Sequence, residues 1–411
     1  MIDLSEEFFK FNPWWEREYT PQIVSRPFYE EYLSRHTGTR PVILITGLRR
    51  AGKTTLMKAH VRNLLRQVDP KYIFYASLDS LSLEKFSVAE ILREYRKVHD
   101  LRIDEKVYLF LDEVGYRDKV HQELKNIYDT ENVKIFASSS SASILRDTGA
   151  MLTGRSQVLE VLPLDFHEFL SFKKIKISRA ENYLMEKYFE EYMKTGGMPE
   201  YVLTEDVEYL DSLVEGVIYR DIMAHYGVRD ASSLRDFFRL LMERAGKQFS
   251  MNKIARIMGL SPDTVRRYTD YFAQTFLIYF MERCGKLNER LRAPKKIYCA
   301  DVGIRNLVTG FRDKGAIFEN LVYLRVKSHH PCYVYRQGIE LDFLIDDTLI
   351  EVKYGQDLTG KQKDFFEEFQ CSKKILVQNL HDYLNLGHLA MVRVGVSASP
   401  DNSFSPSMIP T

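Results

Sequence analysis

The chain has 411 residues, a formal net charge of +1, and 45% hydrophobic and 28% charged residues. This excludes a disordered polyelectrolyte and leaves room for two or three separate cores. The four cysteines (Cys284, Cys299, Cys332, Cys371) are scattered, with no CxxC spacing and no nearby His pair. They argue against a zinc site and a disulfide framework, and they suit a reducing cytoplasm.

An N-terminal extension covers 1–40. Its opening, MIDLSEEFFKFNPWWERE, lacks the basic-then-apolar order of a signal peptide. No apolar run approaches the ~20 residues of a membrane span, so a cytoplasmic protein without a membrane partner is expected. From 41 to 165, the apolar runs 41–46, 72–78, 107–112, 134–140 and 157–164 alternate with amphipathic stretches such as 54–67 and 119–130. Near-continuous apolar strands belong to a parallel sheet covered on both faces. The expected fold of this segment is therefore an α/β doubly wound domain.

The first strand runs into Gly47-Leu48-Arg49-Arg50-Ala51-Gly52-Lys53-Thr54-Thr55, which fits GxxxxGK[ST] between a strand and a helix. Glycines let backbone N–H groups turn toward phosphates, and the helix N-terminus adds its dipole. Gly47, Arg50, Ala51, Gly52, Lys53, Thr54 and Thr55 are the expected ATP contacts, with Lys53 on the β- and γ-phosphates and Thr54 on Mg²⁺. The run Val107–Glu113 ends in two carboxylates. Asp112 is assigned to Mg²⁺ and Glu113 to polarising the attacking water. The fourth strand ends in Ser138 to Ser140, read either as supplying a γ-phosphate sensor, assigned to Ser139, or as a serine-rich turn. Arg155 is read either as an arginine finger, in its own subunit or a neighbour's, or as a surface arginine.

A helical lid is expected over 166–245, broken at Gly196-Gly197-Met198-Pro199. A winged helix-turn-helix follows over 246–300. There Ile254, Ala255, Ile257 and Met258 form the apolar side of a first helix and Gly259-Leu260-Ser261 the turn. Ser261 and Pro262 open a second helix, in which Val265, Tyr268 and Phe272 recur at buried spacing. Asp263, Thr264, Arg266 and Arg267 then face outward, with Thr264, Arg266 and Arg267 as the candidate DNA contacts. Residues 251–300 hold ten Lys/Arg against four Asp/Glu, and the basic stretch 283–296 is a candidate wing on phosphates. A packing or partner-protein surface is the competing reading.

From 301 to 396 the order is helix, three strands, helix, strand, with a loose tail at 397–411. Glu319 lies on the first helix, Asp342 on a strand, and Glu351-Val352-Lys353 on the next, with a tight turn at Asp346-Asp347 between them. Two carboxylates with an ammonium nearby are a nuclease's metal and water site, and an inter-strand salt bridge is the alternative.

Together these residues resemble a prokaryotic family of AAA+-type ATPases with a winged-helix module and a C-terminal restriction-endonuclease-like (PD-(D/E)xK) domain. The resemblance runs through Asn12-Pro13-Trp14-Trp15, GLRRAGKTTL (47–56), LDEV (111–114), Ser139-Ser140, Gly154-Arg155 and Pro163-Leu164. It continues in Gly196-Gly197-x-Pro199, Lys296-Ile297-Tyr298 with Asp301, Phe318-Glu319-Asn320, Glu340-Leu341-Asp342-Phe343 and Glu351-Val352-Lys353. It implies subunit assembly and a nuclease-like core without proven cleavage. The expected function is ATP-driven binding of structured DNA. An ATP-dependent nuclease and a nucleotide-controlled scaffold are the alternatives.

Overall fold

The computed structural model describes residues 4–117, 119–143 and 154–386. The expected tail at 397–411 lies outside them. The chain packs as two units, the first ending at Leu162 and the second beginning at Pro163.

The first unit is built on five parallel strands, β1 (Val42–Thr46), β2 (Ile73–Ser77), β3 (Val107–Asp112), β4 (Val133–Ser139) and β5 (Ser156–Glu160). Their order is β2-β3-β4-β1-β5. Parallel neighbours need crossovers, and the helices Lys53–Leu64, Val88–Val98 and Val120–Thr130 lie between successive strands. All five residues of β1 are buried, as a strand covered on both faces demands. β5 ends earlier than its apolar run suggests. Val161 still donates to the Thr46 carbonyl, but the Leu162 N–H is taken by the Tyr29 hydroxyl and Pro163 has no N–H to offer.

Asn12-Pro13-Trp14-Trp15 covers the open edge of this sheet. The Asn12 side chain mimics a neighbouring strand. Its Oδ1 accepts from Tyr75 N (2.6 Å) and its Nδ2 donates to Tyr75 O (3.0 Å). Trp14 and Trp15 each donate an indole N–H to Ile73 O at 3.1 Å. β2 is the edge strand, and an uncovered edge invites pairing with other chains.

The second unit opens with helices from Phe166 to Glu243. Gly196-Gly197 is a close joint. A Cβ on Gly197 would lie 2.2 Å from the Leu164 carbonyl oxygen, and one on Gly196 would lie 2.4 Å from Asp301 Oδ1. Asp301 accepts from Gly197 N and Ile304 N, and burial raises its carboxyl to about 6. The chain then runs β6 (Gln248–Phe249), helices Met251–Met258 and Pro262–Gln274, β7 (Ile278–Met281), a short helix Leu287–Arg292 and β8 (Lys295–Cys299). These strands form an antiparallel sheet ordered β6-β8-β7.

After the helix Lys314–Val326 come β9 (Cys332–Arg336), β10 (Ile339–Ile345) and β11 (Thr348–Val352), then the helix Gly360–Glu368 and β12 (Lys373–Val377). The sheet order is β12-β11-β10-β9, with β12 parallel to β11 and the other pairs antiparallel.

Cys284 and Cys332 form a disulfide, with Cα atoms 5.1 Å apart. This corrects the expectation of unpaired cysteines. Their separation of 48 residues gave no sequence signal. The chain brings them together because Cys284 N donates to Tyr333 O and Tyr333 N to Glu282 O, laying the two segments side by side. No helix among the described residues is long and apolar enough to cross a membrane.

Candidate nucleotide site and a second carboxylate cluster

The loop leaving β1 turns sharply at Gly47 (φ +134°), where a Cβ would sit 2.3 Å from the Val161 carbonyl oxygen, so no other residue fits. Arg50 and Gly52 are also left-handed (φ 62° and 101°), and Gly52 caps the helix that begins at Lys53. Ala51 is fully buried beneath the loop. Lys53 is itself buried, and its ammonium donates to the carbonyls of Gly47 (3.0 Å) and Leu48 (3.1 Å), across the loop. Thr55 points to solvent one residue past Thr54.

Thr54 Oγ1 donates to Asp112 Oδ2 at 2.6 Å, joining loop and β3. The same carboxylate oxygen accepts the Tyr75 hydroxyl at 2.7 Å, and the other accepts Ser138 Oγ. Burial, and then the Asp112 charge, push the Tyr75 hydroxyl far above its usual range, so it remains a donor. Glu113 follows in a left-handed conformation (φ 54°), its N–H donating to Ser138 Oγ (2.9 Å) and its carboxylate accepting Ser140 Oγ (2.8 Å). Asp112 and Glu113 thus stand at the C-terminal end of β3, beside Ser138 at the end of the adjacent parallel strand β4, where open α/β sheets bind ligands.

Two expected residues are placed differently. Strand alternation puts Ser138 and Ser140 on the face of the acidic pair and turns Ser139 away, and Ser139 Oγ bonds instead with the backbone of Ser141. Ser139 is therefore corrected as the sensor position. Arg155 precedes β5, and its carbonyl accepts from Val42 N at the start of β1. That is the far end of the sheet from the phosphate loop, one strand length or roughly 15 Å away. Its side chain, 39% exposed, pairs with Asp129 at 3.6 Å. A finger role within its own subunit is corrected by this placement.

Sequence reasoning missed Arg26. This buried residue donates from one guanidinium nitrogen to Ala51 O (3.1 Å) and from the other to Leu162 O (3.0 Å). It clamps the phosphate loop to the segment leaving the sheet. Nothing in the composition of 1–40 marks it, because its partners are backbone carbonyls far along the chain. Arg26→Ala is expected to raise the KM for ATP by roughly tenfold, given that a charge-assisted hydrogen bond contributes about 1.5–3 kcal/mol. Steady-state kinetics over a range of ATP concentrations checks this.

These residues fit magnesium-bound ATP. The hydroxyl and carboxylate that would hold the ion are already in contact, the lysine lies across the loop, and the glycines keep the cradle open. Thr54 and Asp112 would hold the metal, which neutralises phosphate charge when bound. Lys53 would orient the phosphates, and Glu113, steered by Ser140, would accept a proton from water.

Residues 39–170 match the family described as an AAA domain. With the sheet order and loop geometry above, this segment is a P-loop ATPase domain of the AAA type. Residues 186–315 match a domain of unknown function (DUF8612). Similar proteins include an uncharacterized protein of Methanocaldococcus jannaschii, 28% identical over 82% of this chain and 80% of its own length. Another, from Haemophilus influenzae, is 24% identical over 89% of this chain and 91% of its own. Among solved structures, a Walker-type ATPase of Pyrococcus abyssi aligns with 72% of this chain and 99% of its own, at 15% identity and a TM-score of 0.46.

Beyond the AAA domain, the helix Pro262–Gln274 is capped by Ser261, whose Oγ accepts from Thr264 N at 3.1 Å. Val265, Tyr268 and Phe272 are buried, while Arg266 and Arg267 are exposed and Thr264 is half-buried. Ile257 was expected in the core but is 55% exposed. Arg290 and Lys295 in the expected wing both pair with Glu282 (2.7 and 3.0 Å), and Lys296 is buried. The basic surface is accordingly narrower than the sequence count suggests.

In the C-terminal sheet Phe343 faces Ile350, and one step further along this register sets Asp342 opposite Glu351. Glu351 Oε2 accepts from Asp342 N (3.1 Å) and Asp342 Oδ2 from Val352 N (3.0 Å). Glu351 Oε1 accepts Gln362 Nε2 (2.7 Å) and pairs with Lys353 Nζ (3.2 Å). Glu319 approaches from the helix and accepts the Tyr298 hydroxyl at 2.7 Å. Lys296 was absent from the expected set, yet its ammonium lies 2.7 Å from Glu319, 2.6 Å from Glu340 and 3.2 Å from Asp342.

Proposed function

We propose that this chain is a magnesium-dependent ATPase that grips DNA through the helix Pro262–Gln274 and alters that grip during its nucleotide cycle. The observation carrying the ATPase half is the Thr54–Asp112 contact of 2.6 Å beside Lys53 and Glu113. The DNA half is supported by element order. Helix, strand, two helices and two further strands, with one antiparallel sheet, make a winged-helix module whose second helix presents Arg266 and Arg267 outward. Arg155, remote from its own phosphate loop and half-exposed, serves a neighbouring subunit in an assembled ATPase. The C-terminal element order is that of a restriction-endonuclease-like core, used here as a scaffold.

The decisive experiment is ATP hydrolysis measured without DNA and with linear duplex, single strand and a four-way junction. Stimulation by one form supports the reading and identifies the preferred shape. Turnover indifferent to all of them removes the DNA half and makes the winged helix a protein-binding module. Replacing Arg266 and Arg267 together by Ala is expected to weaken DNA binding and lower the salt dependence by about two units of slope, while leaving DNA-free turnover intact. Fluorescence anisotropy across a salt series checks this, and an unchanged slope would sink the proposed contact.

A further inference from the structure

We infer that Lys296 is a built-in counter-cation, its ammonium filling the place in the C-terminal carboxylate cluster that a divalent metal would need. The cluster is then a charged tie between two sheets and not a nuclease centre.

The lysine is 1% exposed, and oxygens of Glu319, Glu340 and Asp342 converge on it from 2.6 to 3.2 Å. These are ammonium distances, whereas Mg²⁺ holds oxygen at about 2.0–2.1 Å. A second cation beside the first would meet direct repulsion at low dielectric. The two carboxylates expected to bind metal also have other work. Asp342 spends Oδ1 on Lys296 and Oδ2 on the Val352 N–H. Glu351 spends Oε1 on Gln362 and Lys353, and Oε2 on the Asp342 N–H. Among the described residues, no group of three His, Cys, Asp or Glu is placed to hold a metal ion.

Charge points the same way. Desolvation opposes the Lys296 charge, but the surrounding acids outweigh it and keep the ammonium protonated.

The arrangement has a structural use. Lys296 lies on β8, in the sheet of the helix-turn-helix module, whereas Glu340 and Asp342 lie on β10 of the C-terminal sheet and Glu319 on the helix Lys314–Val326. One buried cation therefore fastens three elements. Gln248 of β6 strengthens the tie by donating to Glu340 at 2.7 Å. Lys296-Ile297-Tyr298 acts as a unit here, since Tyr298 donates to the same Glu319 oxygen that Lys296 contacts.

The test counts Mn²⁺ bound to the full-length protein by electron paramagnetic resonance, without nucleotide. Wild type, Asp342→Asn, Lys296→Met and the Lys296→Met/Asp342→Asn double variant are compared. An ion at the phosphate loop is common to all four and cancels. Wild type and Asp342→Asn are expected to give superimposable isotherms. Lys296→Met is expected to gain one Mn²⁺ per chain, and the double variant to lose it. Circular dichroism establishes that each variant is folded. An ion bound by wild type and lost in Asp342→Asn overturns the inference, and that comparison stands even if Lys296→Met does not fold. A folded Lys296→Met that gains no ion overturns it as well. Neither result bears on ATP turnover at Lys53, so the two readings fail separately.

Discussion

Lys53→Ala is expected to reduce ATP turnover by roughly 10²–10³-fold or to background, the loss seen when one preorganised charge is removed from a transition state. The lysine is placed for this by its neighbours. It is the first residue of the helix, follows left-handed Gly52, and lies with its ammonium against the Gly47 and Leu48 carbonyls. A phosphate entering the loop exchanges those neutral carbonyls for a multiply charged acceptor, a stronger hydrogen-bond partner for a cation. Glu113→Gln separates binding from chemistry. Its carboxylate is held by Ser140 of the neighbouring strand's end, outside the loop, so nucleotide binding is expected to persist while phosphate release falls by a similar factor. Phosphate-release kinetics together with binding of a fluorescent ATP analogue checks both. Turnover surviving in Lys53→Ala, or lost binding in Glu113→Gln, would contradict the assigned roles.

The sheet and phosphate loop were legible because local rules and tertiary structure agree there. Apolar runs such as 42–46 are buried along their whole length, and GxxxxGK[ST] depends on backbone conformations that glycine alone permits. Ser139 was misjudged because a run of serines conceals which faces which way, and only the strand register resolves it. Arg155 stayed open between its own subunit, a neighbour's and a plain surface role because a sequence shows a residue's neighbours but not the end of the strand it occupies. Arg26 left no local trace, and Lys296 entered only through the motif Lys296-Ile297-Tyr298 and the basic stretch 283–296, neither of which marks its partners. One works through carbonyls 25 and 136 residues away, the other through acids 23 to 46 residues away. The Cys284–Cys332 bridge is the same kind of case, a contact made by chain path and not by spacing.

The stability of the wild-type protein is expected to fall by on the order of 1–3 kcal/mol between pH 5 and 8.5 through Glu319 and Glu351, shifting the melting temperature of the second unit by several degrees. Unfolded, both carboxyls titrate near the ordinary 4.5; folded, they titrate near 7 and 8. Between those limits the native state retains protons that the unfolded chain has released. Their contribution is thus fully present below about pH 4.5 and is lost as pH rises through 7 and 8. Burial is the main cause for both, and the charge of Asp342 between them adds to it. Glu351→Gln imitates the protonated acid and keeps a carbonyl oxygen for Gln362, so it is expected to flatten the descent and to equal or exceed wild-type stability above pH 8. Thermal melts from pH 5 to 9, monitored by circular dichroism with saturating nucleotide to hold the ATPase unit folded, check the slope. Equal slopes for wild type and Glu351→Gln would mean that this carboxyl does not titrate in the window. The cluster would then be balanced by Lys296 and Lys353 alone.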